Sequence, residues 1–224
     1  MSEAITNQRV HQFDYSNSCI VSSFGRSGGL WLLWNDSVNL EIISMSPNLI
    51  HIVIHNDGPR PPWHLFCTYG PPRAADRANF WQNLSLQVQN VQGMKCFIGD
   101  FNAISSGNDK FGGLPVLDSH ISYFNSFIQH NQLIDLGFSG PAYTWSNGRN
   151  LDALIRQRLD RVMAPPEWCI SFHNAGVLHL PRLASDHAPI LLNTSMNITT
   201  AATTYKFEAY LITHPTTKPF DKTI

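Results

Sequence analysis

Short apolar runs dominate the first third of the chain, and most have the period-two alternation of strands. Ser18–Phe24, Leu30–Trp34, Val38–Ile43, Leu49–His55 and Trp63–Tyr69 read as five strands, separated by Gly-, Asn-Asp- and Pro-rich turns. In Leu49–His55 the residues Ile50, Ile52 and Ile54 share one face, opposite His51, Val53 and His55. That pattern predicts a half-solvated strand with both histidines on its wet side. The period then changes. Phe80, Leu84, Val88 and Val91 recur at helical spacing within 73–91, as do Ile121, Phe124, Phe127 and Ile128 within 119–130. Between these helices the apolar run from Lys95 ends abruptly in Gly99-Asp100-Phe101-Asn102, and a Gly-rich polar loop spans 105–117. Short strands are expected at 133–137 and 143–145, and longer ones at 154–162, 177–180 and 188–193. Pro165-Pro166 opens a short helix. Antiparallel runs followed by strands alternating with helices predict an α+β sandwich, two facing sheets with helices outside. Thr and Ser take over from about Thr194, so the domain is expected to span 1–195, with a linker and tail over 196–224.

Bulk composition narrows the picture in few places. At 224 residues one domain is the default. Charged residues make up only 14% and the net charge is −1, so no global basic field announces a polyanion; only a local basic rim could serve. The ten histidines and four cysteines show no His-x-x-x-His or Cys-x-x-Cys pairing, which argues against zinc and for free thiols. No run of apolar residues is long enough for a membrane span. Met1 to Val10 lacks the basic-then-apolar layout of a secretory signal. An intracellular setting is therefore expected, and no Lys/Arg cluster marks nuclear import, so the compartment, nucleus included, stays open.

Three strand ends carry the candidate chemistry. Asp100 and Asn102 are two residues apart, on one face if the strand extends that far. Asp160 lies in Leu159-Asp160-Arg161, and Asp186 in Ser185-Asp186-His187 before an apolar run. Three carboxylates, an amide and an imidazole are parts for metal-assisted phosphoester hydrolysis, and Tyr69 adds a phenol. Each piece alone has a bland reading: a turn for Gly99-Asp100, a surface ion pair for Leu159-Asp160-Arg161, a cap for Ser185-Asp186-His187, and a packed aromatic for Tyr69 or Trp145. Their joint occurrence in this order is the specific signal.

The series resembles the endonuclease/exonuclease/phosphatase superfamily over roughly 18–195. Gly99-Asp100-Phe101-Asn102 is similar to its Gly-Asp-x-Asn, Arg158-Leu159-Asp160 to its Arg-[Leu/Ile]-Asp, and Ser185-Asp186-His187 with Pro189 to its Ser-Asp-His-x-Pro. More narrowly, Gly25-Arg26-Ser27-Gly28-Gly29-Leu30, Thr68-Tyr69-Gly70-Pro71-Pro72 and Tyr143-Thr144-Trp145-Ser146-Asn147 resemble the apurinic-type endonuclease domain of plant LINE-type retrotransposons. Phe207-Glu208-Ala209-Tyr210 resembles the segment leading toward their reverse transcriptase, a module expected to be absent from this chain.

The resemblance implies a four-layer α/β sandwich with two facing, mainly antiparallel sheets and outer helices. It implies that Asp100 orients or deprotonates the attacking water and Asn102 binds the scissile phosphate. His187 would contact that phosphate with its ring held by Asp160, and Tyr69 would touch phosphate or leaving group. Asp186 and Glu3 would serve the metal, Mg²⁺ or alternatively Mn²⁺, while Trp145 and Asn147 would face the DNA substrate. Two departures follow. The family's first strand, with its Asn, has no counterpart after Met1, so that strand is expected to be missing. Met1-Ser2-Glu3-Ala4 is read as the remnant of the Glu-Thr-Lys-like stretch. The expectation is a DNA-nicking phosphodiester hydrolase impaired by N-terminal truncation. The alternatives are a catalytically inactive transposon-derived relic and a phosphatase acting on a small phosphoester.

Overall fold

The computed structural model describes residues 12–23 and 29–196. Glu3, the stretch Gly25 to Gly28, the expected loss of a first strand and the tail from 197 lie outside the described residues. The chain within them is an α+β sandwich. A mainly antiparallel six-stranded sheet runs in the order β3 (Leu40–Ser46), β4 (Leu49–Ile54), β5 (Trp63–Tyr69), β6 (Lys95–Asp100), β11 (Asp160–Ala164), β8 (Ile134–Asp135). Only β5 and β6 pair in parallel, and helix α1 (Ala74–Gln89) makes the crossover that such a pair requires.

Alternation along the strands assigns the two faces of this sheet. Phe66, Phe97, Leu49 and Met163 point to one side, where α1 and α2 (Asp118–His130) cover them. Trp81 of α1 is the centre of that layer, with ring centroids 5.0 Å from both Phe124 and Phe127 of α2 and 6.0 Å from Phe101. Fully burying a side chain of this kind stabilises by about 2–3 kcal/mol, so this aromatic cluster is a main source of cohesion. The opposite side receives Ile50, Ile52, Leu65, Cys96 and Val162. Against it lie two antiparallel strand pairs, β1 (Asn17–Val21) with β2 (Leu30–Trp34), and β12 (Gly176–His179) with β13 (Ile190–Asn193). The short helix α3 (Pro166–Ser171) plugs the end of this layer with Trp168. No helix among the described residues is long and apolar enough to cross a membrane.

Two local expectations change. His51 is not on a wet face: it is 6% exposed, stacks on Phe66 at 4.2 Å, and sits 2.9 Å from His64 Nδ1. The helical layer covers that side of β4, and burial followed by the neighbouring His64 pushes the His51 pKa down to about 4. His55 is exposed as expected. The single strand expected over 154–162 is two, β10 (Arg156–Gln157) and β11. β10 joins a small sheet with β7 (Lys110–Phe111) and β9 (Trp145–Ser146), and only β11 enters the main sheet. The break between them lets the chain pass from the rim into the core next to Asp160.

Candidate active site

Strand register brings the chemistry together. Tyr69, the last residue of β5, pairs with Asp100, the last of β6, and Asp100 pairs across with Asp160, the first of β11. Three side chains thus stand in a row at one end of the main sheet. Two glycines allow the close approach of backbone there. A Cβ on Gly70 would meet the Phe101 carbonyl oxygen at 2.0 Å, and one on Gly99, at φ +140°, would meet that of Thr68 at 2.1 Å. Beyond Asp100 the strand does not extend: Asn102 has φ +47°, a left-handed turn that Asn tolerates.

Asp100 and Asn102 therefore face each other through that turn. Asp100 Oδ1 accepts the Asn102 backbone N–H at 2.8 Å, and Oδ2 accepts its amide at 3.0 Å. The second amide hydrogen goes to the Gly70 carbonyl at 2.9 Å. Both are engaged, so a phosphate contact by Asn102 requires one of these bonds to be exchanged; as placed, the amide fixes Asp100. His187 comes from the segment before β13. Its Nδ1 lies 2.9 Å from Asp160 Oδ2, and since a carboxylate only accepts, Nδ1 carries a hydrogen and donates it. The other ring nitrogen then faces Asp100 Oδ2 at 3.9 Å. Asp100, Asp160 and His187 present ligand atoms within 4.8 Å of one another.

Electrostatics follow from this crowding. Burial, then the facing Asp160 carboxylate, raise the Asp100 pKa to about 6, against smaller opposing effects from Asn102, His187 and Arg77. For His187, burial works to lower the pKa, but the bond and charge of Asp160, with Asp100 and Asp186, outweigh it and the net shift is upward. Two buried carboxylates side by side need positive charge between them. Their oxygens are the hard donors that Mg²⁺ or Mn²⁺ takes, so the residues fit a divalent cation.

The remaining expected residues lie close by in different roles. Asp186 is exposed and stands outside the three-residue cluster; its Oδ2 accepts the Trp145 indole N–H at 3.2 Å. Trp145 forms a bridge to His187. Asn147 is tied to its own loop, donating to the Ala153 carbonyl and accepting from the Ile155 N–H. Thr144 is the motif residue to which sequence reading assigned no role. It is 1% exposed, and its hydroxyl accepts the N–H groups of Leu159 and Asp160, each at 3.0 Å, while its carbonyl accepts the Ala188 N–H at 2.6 Å. A single side chain thus aligns Asp160 and, through the backbone, the segment carrying His187. The only sequence signal was a β-branched hydroxyl between two aromatics. Thr144→Val strands two buried N–H groups and should lower stability by about 2 kcal/mol or more. Turnover of any substrate should fall more through kcat than through KM, because Asp160 loses its alignment. Unchanged urea midpoint and unchanged kcat would contradict this.

Behind the site, Arg158 and Arg161 flank Leu159-Asp160 and turn away from it. Arg161, 1% exposed, bonds Asp135 and Asp109, both at 2.6 Å. Arg158 also pairs with Asp135 and lies over the Phe138 ring at 4.6 Å. Asp109 further accepts Ser105 and Ser106 N–H groups, so the 105–111 loop is pinned to the sheet. Arg158 and Arg161 thus join Asp109 and Asp135 in a largely buried network, in place of the surface ion pair of the bland reading.

Comparison with known proteins agrees with this architecture. A family model described as the Endonuclease/Exonuclease/phosphatase family matches residues 3–187. No curated protein sequence matches. Among solved structures, the endonuclease domain of TRAS1, a telomere-specific non-LTR retrotransposon, superposes with TM-score 0.60 at 14% identity, over 80% of this chain and 81% of that one. An AP endonuclease from Leishmania major superposes with TM-score 0.64 at 14% identity, over 86% and 74%. A 3' phosphatase from Neisseria, bound to a product DNA hairpin, gives 0.58 at 14% identity, over 86% and 82%. At such identities these likenesses concern the fold.

Proposed function

The chain belongs to the endonuclease/exonuclease/phosphatase family, and from that premise we propose that it is a divalent-metal-dependent phosphodiester hydrolase that cuts a DNA strand. The observation that carries the reading is the convergence of Asp100, Asp160 and His187 within 4.8 Å at adjoining strand ends. Asp100, fixed by Asn102, takes a proton from water as its oxygen attacks phosphorus and the bond to the leaving O3′ breaks. His187, its ring oriented by Asp160, donates through Nε2 to the phosphoryl oxygen on which charge develops. Tyr69, adjoining Asp100 in register, supports the leaving side. Asp100 and Asp160 would hold the cation, Mg²⁺ or Mn²⁺, with Asp186 and Glu3 as further carboxylates. When bound, it polarises the phosphoryl oxygens and offsets the leaving group's charge.

A polyanionic substrate rather than a small monoester is supported by the clefts next to Trp145. Arg149, Arg156 and Arg182 line them against a single carboxylate, Asp152, and none of the three forms an ion pair with a described carboxylate. This is the local basic rim that a net charge of −1 conceals.

Incubation with supercoiled plasmid tests the reading. Mg²⁺ or Mn²⁺ should yield nicked circles, EDTA should stop the reaction, and His187→Ala should slow it about 10²–10³-fold. Nicking that survives EDTA or His187→Ala belongs to a contaminant. A wild-type chain that nicks nothing with either metal is the inactive relic.

A further inference from the structure

A second cavity, of about 280 Å³, opens beside Asn102, and neither His187 nor Trp145 lines it. Arg77, Lys110, Gln157, Leu117 and Leu159 are among its lining residues, and no carboxylate is. Both cations are held by backbone carbonyls. Arg77, in the first turns of α1, donates from Nε to the Pro71 carbonyl at 3.2 Å and from Nη2 to that of Pro72 at 3.1 Å. Lys110 Nζ donates to the Leu114 carbonyl at 2.6 Å. Neither forms an ion pair with a described carboxylate, although the charge of Asp100 reaches Arg77. A guanidinium fixed on two carbonyls is pre-oriented, and an anion docking on it loses little side-chain freedom. Lys110 is equally well placed, because it follows Asp109, the residue locked by Arg161, and pairs with Gln157 across β7–β10.

This arrangement differs from that of surface charge serving solubility. Such cations point to solvent, whereas Arg77 is half-buried, and burial lowers its pKa against the opposing pull of Asp100. The lining also combines two kinds of contact: cations for an oxyanion, and leucines with the Gln157 amide for the sugar and base attached to it. The cavity shares Asn102 with the proposed cleavage centre, so a group on the same strand as the scissile bond is within reach of it.

We propose that Arg77 and Lys110 bind the phosphate neighbouring the scissile one, making this chain selective for a polynucleotide strand over an isolated phosphodiester. The proposal rests on the hydrolase reading above and adds the substrate feature that the site measures.

Two measurements with Arg77→Gln, Lys110→Gln and the double variant test it. The first needs no catalysis: fluorescence anisotropy of a fluorescein-labelled single-stranded oligonucleotide, titrated in EDTA at several salt concentrations. Loss of two phosphate contacts should weaken binding and reduce the slope of log K against log salt by roughly one to one and a half. An unchanged slope, or a wild type that does not bind the oligonucleotide at low salt, overturns the proposal. The second compares kcat/KM on the oligonucleotide and on bis(p-nitrophenyl) phosphate, which has no neighbouring phosphate. The loss on the oligonucleotide should exceed that on the small diester about tenfold, mostly through KM. Equal losses would mean that Arg77 acts through the Gly70–Asn102 turn, and the proposal fails. If the wild type turns over neither substrate, the hydrolase reading fails and the salt slope still decides this one. Lys110→Gln, in the two-residue strand β7 at the rim, supplies the comparison should the Arg77 variants melt early.

Discussion

Asp100→Asn should abolish strand cleavage and yet make the metal-free fold more stable. The loss of activity follows from the role proposed for Asp100 as the base: removing a positioned general base costs about 10²–10⁴-fold. The gain in stability follows from its surroundings. A buried carboxylate facing Asp160, with its pKa raised from 3.8 to about 6, is held ionised at neutral pH at a cost. That shift corresponds to a penalty on the order of 2–3 kcal/mol. The sign can be checked against pH. The folded state binds this proton more tightly than the unfolded chain, so wild-type stability should rise as pH falls from about 6 toward 4. The variant has no proton to bind, and its advantage should vanish over the same window. Urea titrations in EDTA at pH 8, 6 and 4 measure this directly. Adding Mg²⁺ at pH 8 should raise the wild-type midpoint more than the variant's, because the cation relieves the same repulsion. A variant that is less stable at pH 8 would show that the Asn102 bonds to Asp100 outweigh the Asp100–Asp160 conflict.

Arg161→Met should be the most destabilising single change outside the aromatic core. Its guanidinium is 1% exposed and bridges Asp109 to Asp135 at 2.6 Å each. Removing one partner of a buried ion pair costs about 3–5 kcal/mol, since the abandoned carboxylates stay desolvated. Burial alone would raise the Asp135 pKa, but Arg161 and Arg158 hold it below its usual value. A depressed carboxylate contributes stability that is present above its unfolded pKa and lost as pH falls toward the folded one. The gap between wild type and Arg161→Met should therefore narrow below about pH 4. A gap under about 1 kcal/mol at pH 7, or one that does not change in acid, would argue against the network. Loosening of the 105–111 loop should accompany the loss, because Asp109 anchors it.

The elements that sequence patterning reached are those governed by local rules. Helices α1 and α2, the strand ending at Asp100 and the hairpin pairs follow from period and turn chemistry, and the structure keeps them within a few residues. The motif residues Asp100, Asp160 and His187 were legible because each ends, begins or shortly precedes an apolar strand, and strand ends meet at one edge of a sheet. What escaped depends on tertiary neighbours. His51 alternates correctly, yet its supposedly wet face is roofed by helices that arrive later in the chain. Arg161 reads as a surface charge until Asp109 and Asp135, distant in sequence, are placed against it. Thr144 announces no role by itself; its importance lies in accepting two N–H groups from a strand that follows 15 residues later. Asn102 was expected on Asp100's face through strand extension, but reaches it through a left-handed turn instead.

The delivery of His187 has a consequence for how such a protein loses its competence. The preceding segment, from Pro181 to Asp186, is exposed, and Ala184 within it sits at φ +49°, a conformation that costs an alanine about 1 kcal/mol or more. Four hydrogen bonds, from the Ser146 N–H to the Asp186 carbonyl, from the Trp145 indole to the Asp186 carboxylate, from Ala188 to Thr144 and between the His187 and Asp160 side chains, hold this strap to the sheets. Local opening there requires far less free energy than global melting. The imidazole can detach while Trp81 and its neighbours remain packed, so amide exchange in this segment should outpace that of β5 and β6. A lineage that ceases to need cleavage can therefore fall silent at the strap long before it forfeits the sandwich, leaving an intact scaffold with a disconnected centre.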